Sequence, residues 1–223
     1  MVIIVMIMKI ELKLTGIGEV DEKLGGLPAG SLVCIYAHPI SAPELILYEI
    51  ACSKKTYYFN TSRPSQYIKR DMELLNLNTQ NVEFIDVYTQ YYLNEYGQFI
   101  IEDDFRKKNI FDFVDYALSK ILENNEGKDY NLIFDSISFF LRLNVSYGLK
   151  EWLINKLYVV SKQTENLCFI YLMKDVHPKF INSMVLELSD VVLDISKDYE
   201  SIKINILKTR YGPCKNKISI YKN

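Results

Sequence analysis

Histidine is almost missing from this chain, with two in 223 residues, His38 and His177, far apart in sequence. The four cysteines, Cys34, Cys52, Cys168 and Cys214, show no metal-ligand spacing, and three of them lie in apolar runs. That scarcity argues against a zinc site and against a disulfide framework, and makes a reducing cytoplasm the default expectation. Neither sign of charge dominates: 26 basic against 28 acidic residues give a net charge of −2. A broadly basic nucleic-acid surface is therefore not expected, although a local patch remains open because net charge says little about distribution. Long apolar runs are also lacking. The longest at the N-terminus, MVIIVMIM from Met1 to Met8, falls well short of the roughly 20 residues a membrane span needs. It has neither the basic start nor the small-residue cleavage site of a signal peptide. It reads as an extra edge strand or, preferably, as a misassigned extension ahead of a natural start at Met8. Residues 9–223 then form one domain.

What is present is an ordinary core-forming composition, 49% hydrophobic and 24% charged. Short apolar runs alternate with helical periodicity, the pattern of a mostly parallel sheet covered by helices. Residues 31–37, 56–60, 82–87, 132–134, 167–173 and 191–195 read as strands. Glu44 to Ser53 reads as a nearly all-apolar, central helix. Ile68, Met72 and Leu75 mark another, Phe111, Val114, Leu118 and Ile121 a third, Trp152 to Val160 a fourth and Phe180 to Leu188 a fifth. Gly97 to Lys108 reads as a polar surface excursion. Alternation at 202–207 and 217–221, around the turn residues of 211–214, predicts a C-terminal antiparallel hairpin.

The segment Thr15-Gly16-Ile17-Gly18-Glu19-Val20-Asp21, continuing to Leu24-Gly25-Gly26-Leu27-Pro28-Ala29-Gly30-Ser31, is the most specific signal. It resembles the segment that precedes the first core strand in the KaiC-like family of the RecA superfamily. Further similarity runs through residues 84–88, Leu132-Ile133-Phe134-Asp135-Ser136, His177-Pro178, residues 188–193 and Leu207-Lys208-Thr209-Arg210. The resemblance implies a RecA-like α/β fold, a mostly parallel sheet flanked by helices with the terminal hairpin at one edge. It also implies a P-loop nucleotide site with ATP and magnesium, and an assembly in which Lys208 and Arg210 reach a neighbour's nucleotide.

The loop that should carry the phosphates departs from the family pattern. A P-loop reads G-x-x-x-x-G-K-[ST]: backbone N–H groups cradle phosphate, the lysine contacts the outer phosphates and the hydroxyl holds magnesium. The matching residues are Ala37, His38, Pro39, Ile40, Ser41, Ala42, Pro43 and Glu44. Both glycine positions carry a side chain, Pro43 replaces the lysine and Glu44 replaces the hydroxyl. No glycine occurs between Gly30 and Gly97, so no shifted register restores the motif. Pro43 has no N–H to donate. A glutamate beside a polyphosphate is repelled by about 4 kcal/mol per unit charge pair at 4 Å and an effective dielectric of 20, before screening. Ser41-x-x-Glu44 also has the form of a capping box, which would satisfy the helix donors from within the chain. The glutamates that such ATPases carry after their second strand are missing from Phe59-Asn60-Thr61-Ser62-Arg63-Pro64.

These departures predict no catalytic residue and no cofactor, and a regulatory or scaffolding pseudo-ATPase subunit working with a protein partner, its own copy or an intact paralogue. A nucleotide-binding switch using remodelled contacts, with Lys174 as the replacement lysine and ATP and magnesium retained, stays open. So does a DNA recombination accessory. Asp135 stands at the Walker B position, with a turn-capping role favoured over magnesium. Lys208 and Arg210 stand as trans contacts or as solvated edge residues alongside Lys203. His38 and His177 read first as packing residues, and the tyrosine-rich stretch 88–96 reads as a protein-interaction patch.

Overall fold

The computed structural model describes residues 11–100, 103–198 and 201–211, and the backbone of a strand at 217–221. The apolar segment at 1–8 and the hairpin turn at 212–216, with Cys214, lie outside the described residues.

The entry segment folds into a small lock. Strands β1 (Leu12–Lys13) and β2 (Leu27–Pro28) pair antiparallel around helix α1 (Gly18–Leu24). Asp21 accepts from the Thr15 N–H and hydroxyl at 2.7 and 2.8 Å and from the Gly16 N–H at 3.0 Å. Gly26 has φ +106°, and a Cβ there would meet the Lys13 carbonyl at 2.7 Å, so only glycine fits. Backbone geometry thus accounts for the run of threonine, glycines and aspartate.

The main sheet has eight strands in the order β10-β9-β8-β3-β7-β6-β4-β5. They are β3 (Leu32–Ala37), β4 (Thr56–Asn60), β5 (Val82–Asp86), β6 (Asn131–Phe134), β7 (Leu167–Met173), β8 (Val191–Lys197), β9 (Ser201–Thr209) and β10 (Lys217–Tyr221). The six strands from β8 to β5 are parallel, and β9 and β10 close one edge antiparallel, as the hairpin pattern predicts. Period-two alternation sends the apolar strand residues to two separate cores. Leu32, Cys34, Leu132 and Ile170 face helices α5 (Asp104–Asn124), α6 (Ile137–Arg142), α7 (Tyr147–Thr164) and α8 (Lys179–Leu188). Val33, Ile35, Phe169 and Leu193 face α1, α2 (Pro43–Ser53) and α3 (Ser65–Leu74). Buried on both faces, β3, β6 and β7 read as nearly continuous hydrophobic runs.

Two sequence expectations need correction. Helix α5 starts at Asp104, inside the stretch read as a surface excursion, because Asp103 caps it by accepting from the Arg106 N–H at 2.7 Å. The tyrosine stretch is not one exposed patch: residues 87–92 form helix α4, which sends Tyr91 into the core against Phe139, ring centroids 5.1 Å apart. Tyr96, beyond the helix, is exposed.

Candidate functional site

In a parallel sheet, ligands gather beyond the carboxyl ends of the strands, where neighbouring crossovers diverge. Here that point lies beyond β3, flanked by β7 and β8, and the loop at residues 37–44 leaves from it. Ala37 is buried and its carbonyl accepts from the Lys174 N–H at 2.9 Å. Pro39–Ser41 form a single 3-10 turn, closed by the Ser41 N–H on the His38 carbonyl at 2.9 Å. His38, Pro39 and Ile40 face solvent, and Ser41 and Pro43 are buried.

Ala42 adopts φ 50°, ψ 50°. This left-handed conformation costs an L-residue with a side chain about 1–2 kcal/mol. The backbone therefore takes a glycine-type turn at the position where a P-loop has its second glycine, without having the glycine. Ala42→Gly is expected to stabilise the protein by about 0.5–1 kcal/mol, the relief of strain exceeding the added freedom of the unfolded chain. Equilibrium urea unfolding with an unchanged slope would measure it.

The capping box predicted for Ser41 and Glu44 does not form. Helix α2 begins at Pro43, its N-cap is Ala42, and no side chain caps it. Proline favours the first helical position, and that preference sets the helix start one residue later than the box requires. Glu44 falls at the second helical position instead of the third, and Ser41 falls outside the helix. Glu44 still places a carboxylate in the first turn, where its charge complements the helix dipole and opposes an incoming anion.

Asp135, at the end of β6, is buried. Its Oδ1 accepts from the Thr61 N–H and the Thr61 hydroxyl, both at 2.8 Å, and its Oδ2 accepts from the Ser62 hydroxyl at 3.0 Å. Burial raises its pKa above the usual carboxylate value, and the hydrogen bonds from Thr61 and Ser62 oppose that rise. Both oxygens are thus used to fasten the loop that follows β4.

That loop also supplies Arg63, whose role was not read from the sequence. Its guanidinium donates to the Tyr48 hydroxyl at 2.6 Å and pairs with Asp71 at 2.6 Å. Burial pushes the Tyr48 hydroxyl up to about 12, against the pull of Arg63. Nearby, the Tyr171 hydroxyl on β7 is buried with no hydrogen-bond partner among the described residues, and burial, with the charges of Glu44 and Asp135, raises its pKa. The signal for Arg63 was its position after β4, but its partners 15 and 8 positions away are visible only in the fold.

The other residues singled out are held within the chain. Lys174 pairs with Asp194 and lies 5.1 Å from the Tyr36 ring centroid. Lys208 donates to the Leu186 and Glu187 carbonyls at 2.7 Å, and Arg210 to the Glu187 carbonyl at 2.7 Å. These are the last carbonyls of α8, which lack partners within the helix, so the two cations cap its C-terminus. His177 meets a serine that its sequence neighbourhood does not contain: its Nε2 is 2.8 Å from Ser138 Oγ. Cys34 and Cys168 are buried free thiols. Among the described residues, no three His, Cys, Asp or Glu side chains converge on a metal-sized site, and no helix is long and apolar enough to cross a membrane.

Residues 12–144 match the model of DUF7125, a family of unknown function. The chain belongs to that family. Curated proteins give this DUF7125 member no match. Among solved structures it is similar to a KaiC-like protein from the hyperthermophilic archaeon Pyrococcus horikoshii OT3, with TM-score 0.62 and 14% identity, over 96% of this chain and 92% of that one. An uncharacterized protein from Pyrococcus horikoshii in complex with an unknown peptide is similar too, with TM-score 0.62 and 16% identity, over 95% and 100% of the two chains. At those identities the likeness shows the fold alone: the DUF7125 chain has a KaiC-like fold, a mostly parallel sheet flanked by helices with an antiparallel edge.

Proposed function

We propose that this DUF7125 protein is a RecA-fold subunit that does not hydrolyse ATP and acts as a regulator or scaffold for a protein partner. The observation that carries the reading is the use of Asp135: the carboxylate at the Walker B position holds Thr61 and Ser62 with both oxygens. Three further features support it. The loop between β3 and α2 offers Pro43 where the lysine should be, and Glu44 in the first turn of the helix. Arg63, Tyr48 and Asp71 form their own hydrogen-bonded set after β4. Lys174 is committed to Asp194.

A hydrolase of this fold needs charge placed against the transferring phosphoryl group and a group that orients the attacking water. Residues 37–44 hold no lysine or arginine, residues 60–64 hold no carboxylate, and Arg63 is already engaged by Tyr48 and Asp71. A trans role for Lys208 and Arg210 on a neighbour's nucleotide would require both to leave the α8 carbonyls, so the partner-facing part of the proposal rests on the fold rather than on those side chains. The peptide reported with one structural neighbour belongs to that protein, and it favours protein binding as the use of this scaffold. Titration with ATP and magnesium tests the proposal: no saturable binding at the 37–44 loop is expected, and tight binding there would refute it.

A further inference from the structure

On the other side of the β6 and β7 ends lie three cationic or titratable side chains that have no acidic partner among the described residues. His177, in the loop between β7 and α8, is tied to Ser138 on α6 at 2.8 Å. Ser138 Oγ also accepts from the Met173 N–H at 2.9 Å. The other ring nitrogen, Nδ1, has no hydrogen-bond partner among the described residues.

Arg142 lies one helical turn after Ser138 on α6, and Lys150, on α7, reaches the carbonyl of Leu141, the chain neighbour of Arg142, at 2.8 Å. Burial lowers the His177 pKa, and Arg142 and Lys150 lower it further. Among the described residues, neither His177 nor Lys150 forms an ion pair with a carboxylate. Asp175, in the same loop, acts on Tyr36 instead. Lys150 spends one donor on the Leu141 carbonyl at 2.8 Å, and the exposed Arg142 side chain makes no hydrogen bond or ion pair among the described residues. Like charges gathered without a counter-charge oppose one another unless an anion joins them. Arginine and lysine with unused N–H donors are the side chains that recognise phosphate oxygens.

We propose that Arg142, Lys150 and His177 form an anion site, distinct from the 37–44 loop, whose ligand is a phosphate group. A phosphate seated there would add negative charge beside the ring and favour the imidazolium.

With only two histidines in the chain, NMR titration of the imidazole signals reads the site directly, and the His38→Asn protein assigns them. Inorganic phosphate should raise the His177 pKa by roughly half a unit or more over sodium chloride at matched ionic strength. The shift should vanish in Arg142→Ala/Lys150→Ala protein, whose fold the remaining spectrum checks. A short thymidine single strand is the second probe. A shift at much lower concentration than with inorganic phosphate, and steeply salt-dependent, assigns the phosphate to a nucleic-acid backbone. Comparable or weaker action by the strand assigns it to a small anion. An equal shift with chloride, or one that persists in the double variant, overturns the site.

Discussion

Asp135→Ala should lower the stability of the protein by about 3–4 kcal/mol, among the larger effects available to one substitution. The carboxylate is buried and receives three hydrogen bonds from Thr61 and Ser62. Bonds to a charged acceptor contribute about 1.5–3 kcal/mol, and an abandoned buried donor costs about 1–3 kcal/mol. Here the Thr61 N–H and hydroxyl would both be left without their acceptor. Asp135→Asn should cost less, about 2 kcal/mol, since the amide oxygen keeps one acceptor while its NH2 confronts a donor. Urea unfolding of the two variants measures both. The contrast with a metal-binding aspartate is direct. A carboxylate kept for magnesium is under electrostatic strain without its ion, and removing it would leave the apo protein as stable or more so. Unchanged stability of Asp135→Ala would therefore sink the structural role assigned to this residue.

The second large effect is a gain. Replacing Ala37→Gly, Ala42→Gly, Pro43→Lys and Glu44→Thr together restores the spacing of a P-loop on a backbone that already turns left-handed at residue 42. The substitutions return a cation, a hydroxyl and a donor N–H, and remove a repelling carboxylate. Affinity for ATP with magnesium should rise at least about 1,000-fold over the parent protein, equivalent to about 4 kcal/mol. Hydrolysis should not return, because residues 60–64 still offer no group to orient water. Calorimetry and a phosphate-release assay on the same variant separate the two statements. Failure to gain binding in a folded variant would mean that the obstacle lies in the surrounding Arg63, Tyr48 and Tyr171 set rather than in the loop.

The sheet was largely legible before any coordinates, because strands buried on both faces announce themselves as short apolar runs. The predicted bounds of β4 and the antiparallel hairpin agree with the structure. Helix starts were harder to read. The first turn of α5 is charged, so the periodic residues from Phe111 onward hid a helix that begins at Asp104. Helix α7 likewise begins at Tyr147, ahead of Trp152. The Ser41-x-x-Glu44 pattern matched a cap in form, but Pro43 imposed its own register.

The candidate site was legible as a set of departures and not as a geometry. That residues 43 and 44 are a proline and a glutamate, and that residues 60–64 hold no carboxylate, could be read directly. The side-chain contacts could not: Asp135 meets Thr61 across 74 positions, and His177 meets Ser138 across 39. Such partners are set by strand order, which composition and periodicity do not encode. Lys208 and Arg210 illustrate the same limit, since an edge-strand position says nothing about the α8 carbonyls they cap.

The account stands or falls on the 37–44 loop. Calorimetric titration of ATP with magnesium into the Arg142→Ala/Lys150→Ala protein isolates that loop from the proposed second anion site. The account predicts no saturable heat up to millimolar nucleotide. Saturable micromolar binding, lost on placing a bulkier side chain at Ala42, would contradict it.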